Sequence, residues 1–143
     1  MSAFERESPQ TIEMLWTEYH RSRSHTTAKV LSATLYRQLI QNARNSPFFI
    51  FPVPKLLDNS HFVLVSQAQE KSFVLTWLDE YRQNPQAANP YMVLTCFDEL
   101  TLSKGVGLMR GDVIQSLSRN EGRVIMEQVM DTYMTADGYE KAR

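Results

Sequence analysis

Glycines at 105, 107 and 111, with Arg110 beside the last, are the residues whose type best suits chemistry. A glycine-rich stretch could cradle a phosphate on bare backbone amides. The spacing speaks against it, because a dinucleotide-binding loop needs its third glycine one residue earlier, and no Gly-Lys-Ser/Thr is present. A strand relieved by glycines, where backbones approach closely or bulge, explains the pattern more simply. Asp98-Glu99 could act as a general acid/base pair. Consecutive acids after a strand more often form a solvated turn. Combined with Arg110 they define one alternative, a small phosphate- or small-molecule-binding enzyme using the 105–111 strand, which requires a deep pocket beside Arg110. His20 and His25 lie five residues apart, off a common helix face and far from the single cysteine, so no metal site is expected. Cys96 falls mid-strand among Val93, Leu94 and Phe97 and reads as a buried, inert thiol. Arg21, Arg23 and Lys29 near Trp16 and Tyr19 could suggest a nucleic-acid patch, but Glu13 and Glu18 interrupt it. No catalytic constellation assembles from these residues.

The elements that must position them follow from periodicity and caps. Ser8-Pro9 opens a helix over about 9–21, with Ile12, Leu15, Trp16 and Tyr19 as its apolar stripe. The segment from His20 to His25 has no periodicity and reads as an exposed, mobile loop that would let this helix sit loosely on the body. Ser32 caps a second helix carrying Tyr36, Leu39, Ile40 and Ala43, which should stop before Pro47. Phe48-Phe49-Ile50-Phe51 is a strand ended by Pro52-Val53-Pro54, so that end lies at a sheet edge or leaves the sheet. A turn at Asp58-Asn59-Ser60 leads to a strand at 61–66, and a short turn at 69–71 to another at 72–75. A short helix is expected at 76–83, then two strands at 91–97 and 104–112. Tyr91 to Phe97 is apolar on both faces and suits the middle of a sheet. Ser118 or Asn120 caps a last helix with Ile125, Met126, Val129, Met130, Tyr133 and Met134 along one side, ended by Gly138. The fold class expected is α+β, a mainly antiparallel sheet of about five strands with helices against it. Residues 1–26 form an N-terminal helix and flexible loop, and 27–143 the globular unit.

The totals narrow the function classes. A chain of 143 residues that is 43% hydrophobic and 22% charged fits one domain able to bury a core without a disulfide or metal staple. A net charge of -1 gives no general attraction to nucleic acid or anionic lipid. The single cysteine points to a reducing compartment, and no apolar run reaches the roughly 20 residues of a spanning helix. The N-terminus is too acidic and too short for a signal or mitochondrial transit peptide.

Three motifs carry a specific resemblance. Phe51-Pro52-Val53-Pro54-Lys55, Leu94-Thr95-Cys96-Phe97-Asp98-Glu99-Leu100 and Lys104-Gly105-Val106-Gly107-Leu108-Met109-Arg110-Gly111-Asp112 resemble a mitochondrial family, the assembly factors for the catalytic head of ATP synthase. Leu15 to His20 and Lys29 to Ala33 match the same family in order, so the resemblance covers about residues 12–134. It implies a monomeric matrix protein without enzymatic activity or cofactor. Such a protein binds the free β subunit, prevents its aggregation and is displaced by the α subunit. Family members usually carry a leader and a further C-terminal segment, so a trimmed domain is expected. Placement suggests Pro52, Pro54 and Lys55 at the strand exit, Lys104 at a turn and Arg110 beyond it as partner-binding residues. Trp16 and Tyr19 on the first helix offer a second surface, because aromatics are enriched at interface centres.

Overall fold

The computed structural model describes residues 4, 6–21, 23–54, 61–115 and 117–134. The chain runs α1 (Pro9–Arg21), β1 (Thr26–Ser32), α2 (Ala33–Asn45), β2 (Phe48–Pro54), β3 (His61–Gln69), β4 (Ser72–Trp77), α3 (Leu78–Gln83), β5 (Pro90–Phe97), β6 (Val106–Val113) and α4 (Arg119–Met134). The strands form one antiparallel sheet in the order β1-β6-β5-β4-β3-β2. This is the expected α+β class. The sheet has six strands rather than five, because Thr26–Ser32 is a strand on the edge beside β6.

Local chemistry places the helix starts. Ser8 Oγ accepts from the Thr11 amide (3.2 Å) and Ser32 Oγ from the Leu35 amide (3.2 Å). Ser118 and Glu121 form a reciprocal box: the Ser118 amide donates to Glu121 Oε1 (2.8 Å), and the Glu121 amide to Ser118 Oγ (3.0 Å). Expectations that fall on Lys55, on the 58–60 turn and on Gly138 lie outside the described residues. The short helix begins at Leu78, two residues later than expected, because Thr76 and Trp77 still pair with β3.

Helices α2 and α4 cover one face. Tyr36, Leu39 and Ala43 meet Ile125, Met126, Val129 and Tyr133 over Phe51, Leu64, Phe73, Leu75, Met92 and Leu94. The Tyr133 hydroxyl donates to the Ser46 carbonyl at the end of α2 (2.7 Å). Gly107 lies under Tyr36, and Gly122 under Val113, so both helices pack close to β6. Among the described residues the opposite face is covered in two places. Helix α1 lies over β1 and β6, enclosing Ile12, Trp16, Leu100, Val106 and Leu108, and α3 packs on β3 and β4.

Two expectations for α1 need correction. The buried line is Ile12, Trp16 and His20, at i, i+4 and i+8, whereas Leu15 and Tyr19 are exposed. A helix seated on two strands contacts them along a narrow row, so a stripe drawn one residue wider faces water. The helix is also docked, not loose, and His20 belongs to its buried line rather than to a loop.

Candidate protein-docking surface

The residues singled out from the sequence do not converge. Pro52 is exposed on β2, while Arg110 lies on β6 with three strands between them. At about 4.8 Å per strand that separation is roughly 19 Å. Pro54 closes β2, and Lys104 sits half-buried in the turn between β5 and β6. Trp16 is only 6% exposed: its indole N–H donates to the Met109 carbonyl (3.2 Å), and its ring packs edge-on against Phe97 (5.5 Å) and His20 (4.4 Å). Its role is therefore to hold α1 down. Tyr19, 58% exposed, is the part of that pair facing solvent, with Arg23 over its ring at 4.9 Å.

His20 lies beneath Tyr19, and its Nδ1 is 2.8 Å from the Trp16 carbonyl, which makes Nδ1–H the fitting tautomer. Burial lowers its pKa, and the charges of Arg110 and Arg23 act in the same direction. The folded protein therefore binds this proton less readily than the unfolded chain. Stability from neutral His20 is present above the unfolded value of 6.5 and is lost as pH falls below it. Melting temperature should drop between about pH 7 and about pH 5, and His20→Gln should flatten the profile in that window.

The glycine-containing strand has a structural account. An added Cβ at Gly107 would lie 2.1 Å from Tyr36 Cδ2, and one at Gly111 would meet Met92 Cε at 2.6 Å. Both glycines thus face the covered side of the sheet, where packed side chains leave no room for a phosphate. Arg110 points to the other side, its Nε 3.0 Å from Asp112 Oδ2 and its guanidinium 6.0 Å from the Phe97 ring centre. None of the larger described cavities is lined by Arg110, so the pocket that the enzyme alternative requires is not found among the described residues. Cys96 is buried, and burial pushes its thiol pKa up to about 12. A maleimide or disulfide reagent near pH 8 should leave the native protein unlabelled and modify one thiol after denaturation.

The surface that could dock another protein lies at β2. Phe48 and Ile50 are 51% and 55% exposed, on the side of the sheet away from α2 and α4. Beside them runs an open groove of about 870 Å³, floored by Phe48, Ile50 and Val65 and walled by Leu78 and Tyr81 of α3. Arg82 is its charged rim residue. The ladder register explains the edge. The Ala68 amide donates to the Pro47 carbonyl (2.8 Å), and Phe48 pairs with Gln67, so the backbone groups of 48, 50, 52 and 54 point away from β3. Pro52 and Pro54 stand at two of those outward positions and remove the donors there. Gln128 Nε2 donates to the Pro52 carbonyl (3.3 Å), closing that half of the edge further. The half at Phe48 and Ile50 stays open among the described residues. Sequence reading identified this strand and its edge position but not its exposure. The available signal was an edge strand apolar on both faces, one of which the neighbouring elements leave uncovered.

An open sheet face carrying exposed aromatic and aliphatic side chains beside a groove is a geometry suited to docking another protein. Comparison with known proteins agrees with the motifs. The family model described as ATP11 protein matches residues 1–143. A curated relative from Schizosaccharomyces pombe, "Protein atp11, mitochondrial", is 26% identical over 132 residues, covering 89% of this chain and 46% of that protein. This chain belongs to the ATP11 protein family, the assembly-factor family that its motifs resemble. It spans about half the length of the curated relative it matches.

Proposed function

We propose that this chain is a non-enzymatic assembly chaperone of the mitochondrial matrix that binds unassembled ATP synthase β subunit. It covers apolar surface on β, prevents its aggregation, and is displaced when the α subunit takes that surface during assembly of the catalytic head. The observation that carries the reading is the half-exposed apolar edge of β2 in a member of the ATP11 family. A soluble domain that leaves Phe48 and Ile50 in water gains free energy when a partner covers them, at roughly 25 cal/mol per Å² of apolar area removed. Binding lowers the concentration of free, aggregation-prone β by mass action. Release needs no nucleotide chemistry, because α competes for the same surface. The chaperone acts as a monomer, with neither nucleic acid nor membrane as partner.

The test is retention of separately purified β and α subunits on this protein, followed by challenge of the β complex with excess α. Retention of β, not of α, with release of β on challenge is the expected result. Failure to retain β at micromolar concentration, together with no suppression of its aggregation, would overturn the reading.

A further inference from the structure

We infer that the groove between β2 and α3 is the seat of the partner, and that it takes an apolar segment of the unassembled β subunit carrying a carboxylate opposite Arg82. This assignment rests on the chaperone reading. Large apolar side chains are exposed at several places among the described residues, and of these Leu35, Ile114 and Val124 line none of the larger described cavities. Leu102, 91% exposed in the turn between β5 and β6, borders a cavity whose lining is mostly polar and charged, with Arg37, Arg44, Lys71 and Asp98. Met14, Leu15 and Tyr19 are exposed on α1 and line none of the larger described cavities, and Arg23 lies over one face of the Tyr19 ring. Only Phe48 and Ile50 border a concavity whose floor and wall are also apolar, the arrangement in which a partner side chain is desolvated on several sides at once.

Charge decides the chemistry of the occupant. Among the described residues Arg82 is the one charged residue lining the groove, and it makes no ion pair with any of them. Its helix neighbours do not neutralise it: Glu80 lies 3.4 Å from the Tyr91 hydroxyl, and Asp79 makes no bridge to Arg82. A guanidinium beside an apolar floor favours a carboxylate that arrives with apolar neighbours, because the pair forms where water is partly excluded. A basic or purely polar segment would leave Arg82 repelled and Phe48 and Ile50 uncovered.

Purified β subunit is the probe, titrated against the wild-type protein and four variants whose folding is checked by thermal melting. Ile50→Asp should weaken β binding by about tenfold or more, with a melting temperature close to wild type because the side chain is exposed. Arg82→Glu should weaken it by a smaller factor, with a difference from wild type that shrinks as salt is raised. Leu102→Asp, the same change of character at an exposed site elsewhere, should bind as wild type does, and so should Tyr19→Ala. If wild type binds β and both groove variants bind equally well, the groove assignment is overturned while the chaperone reading stands. Loss of binding in Tyr19→Ala alone would move the seat to α1 and also overturn it. If wild type binds no β, the chaperone reading fails and the groove assignment falls with it.

Discussion

Trp16→Ala is expected to destabilise the protein by about 3–5 kcal/mol, the usual cost of deleting a buried large aromatic. In a domain of this size that corresponds to a fall in melting temperature of about 10 °C. The reasons are additive in kind. The indole fills the space between α1 and the sheet, contacts Phe97 and His20 edge-on, and donates to the Met109 carbonyl. Truncation leaves a cavity over β6 and one strand carbonyl without that donor. Trp16→Phe should recover most of the packing but not the hydrogen bond, and lie between the two. Thermal and urea unfolding followed by far-UV circular dichroism measure both. If residues 1–26 were a separately moving unit, the main transition would not shift in either variant. The same experiment thus tests the expected division of the chain near residue 26 against the docked helix.

Gly107→Ala is expected to cost about 3 kcal/mol or more, at the upper end of overpacking effects, although it adds a single methyl. The new Cβ would lie 2.4 Å from Tyr36 Cγ and 2.7 Å from Tyr36 Cβ. Tyr36 Cβ is fixed to α2, so turning the ring relieves only part of the clash and the helix itself must shift off the sheet. Gly105→Ala provides the contrast. Gly105 has φ +71° but nothing within 4 Å of its added Cβ, so its cost is backbone strain alone, about 1–2 kcal/mol. Denaturant titration of the two variants separates packing from conformation. Coupling offers a second check: Gly107→Ala should cost less in a Tyr36→Ala background, because the two closest atoms, Tyr36 Cδ2 and Cγ, are gone and only the Cβ contact remains. Equal costs in the two backgrounds would show that Gly107 is needed for some other reason.

Much of the scaffold was legible because its signals are local. Ser8, Ser32 and Ser118 cap helices through bonds to amides three residues on, and side chains that act at such short range can be read from spacing. Pro52 and Pro54 marked an edge because a missing N–H cannot serve a central strand. Strand β1 was not legible as one. Its core side carries Thr27, Lys29 and Leu31 and its other side Thr26, Ala28 and Val30, and neither set is apolar enough to stand out. Lys29 sits at the rim within 3.8 Å of Glu127, a pairing made across the fold. The same limit applies to the candidate docking surface. That Phe48-Phe49-Ile50-Phe51 is a strand follows from its own residues. That Phe51 is covered while Ile50 is exposed depends on where α3 and α4 end up, which those four residues do not encode. Trp16 illustrates the reverse error, an aromatic that looked available for a partner and is spent on the molecule's own core.

The proline positions on β2 have a consequence for the protein's own solubility. A strand that keeps its apolar side chains in water is ordinarily a hazard, because the same edge that attracts a client also invites copies of itself to stack strand upon strand. Here stickiness and templating are separated. Of the four outward-facing positions, two are prolines and a third group, the Pro52 carbonyl, is held by Gln128, so a second copy finds too few backbone partners to extend a sheet. Side-chain attraction remains, and it can be satisfied by a partner that fills the groove without adding a long strand. A domain with an exposed apolar edge is in this way kept from pairing with copies of itself.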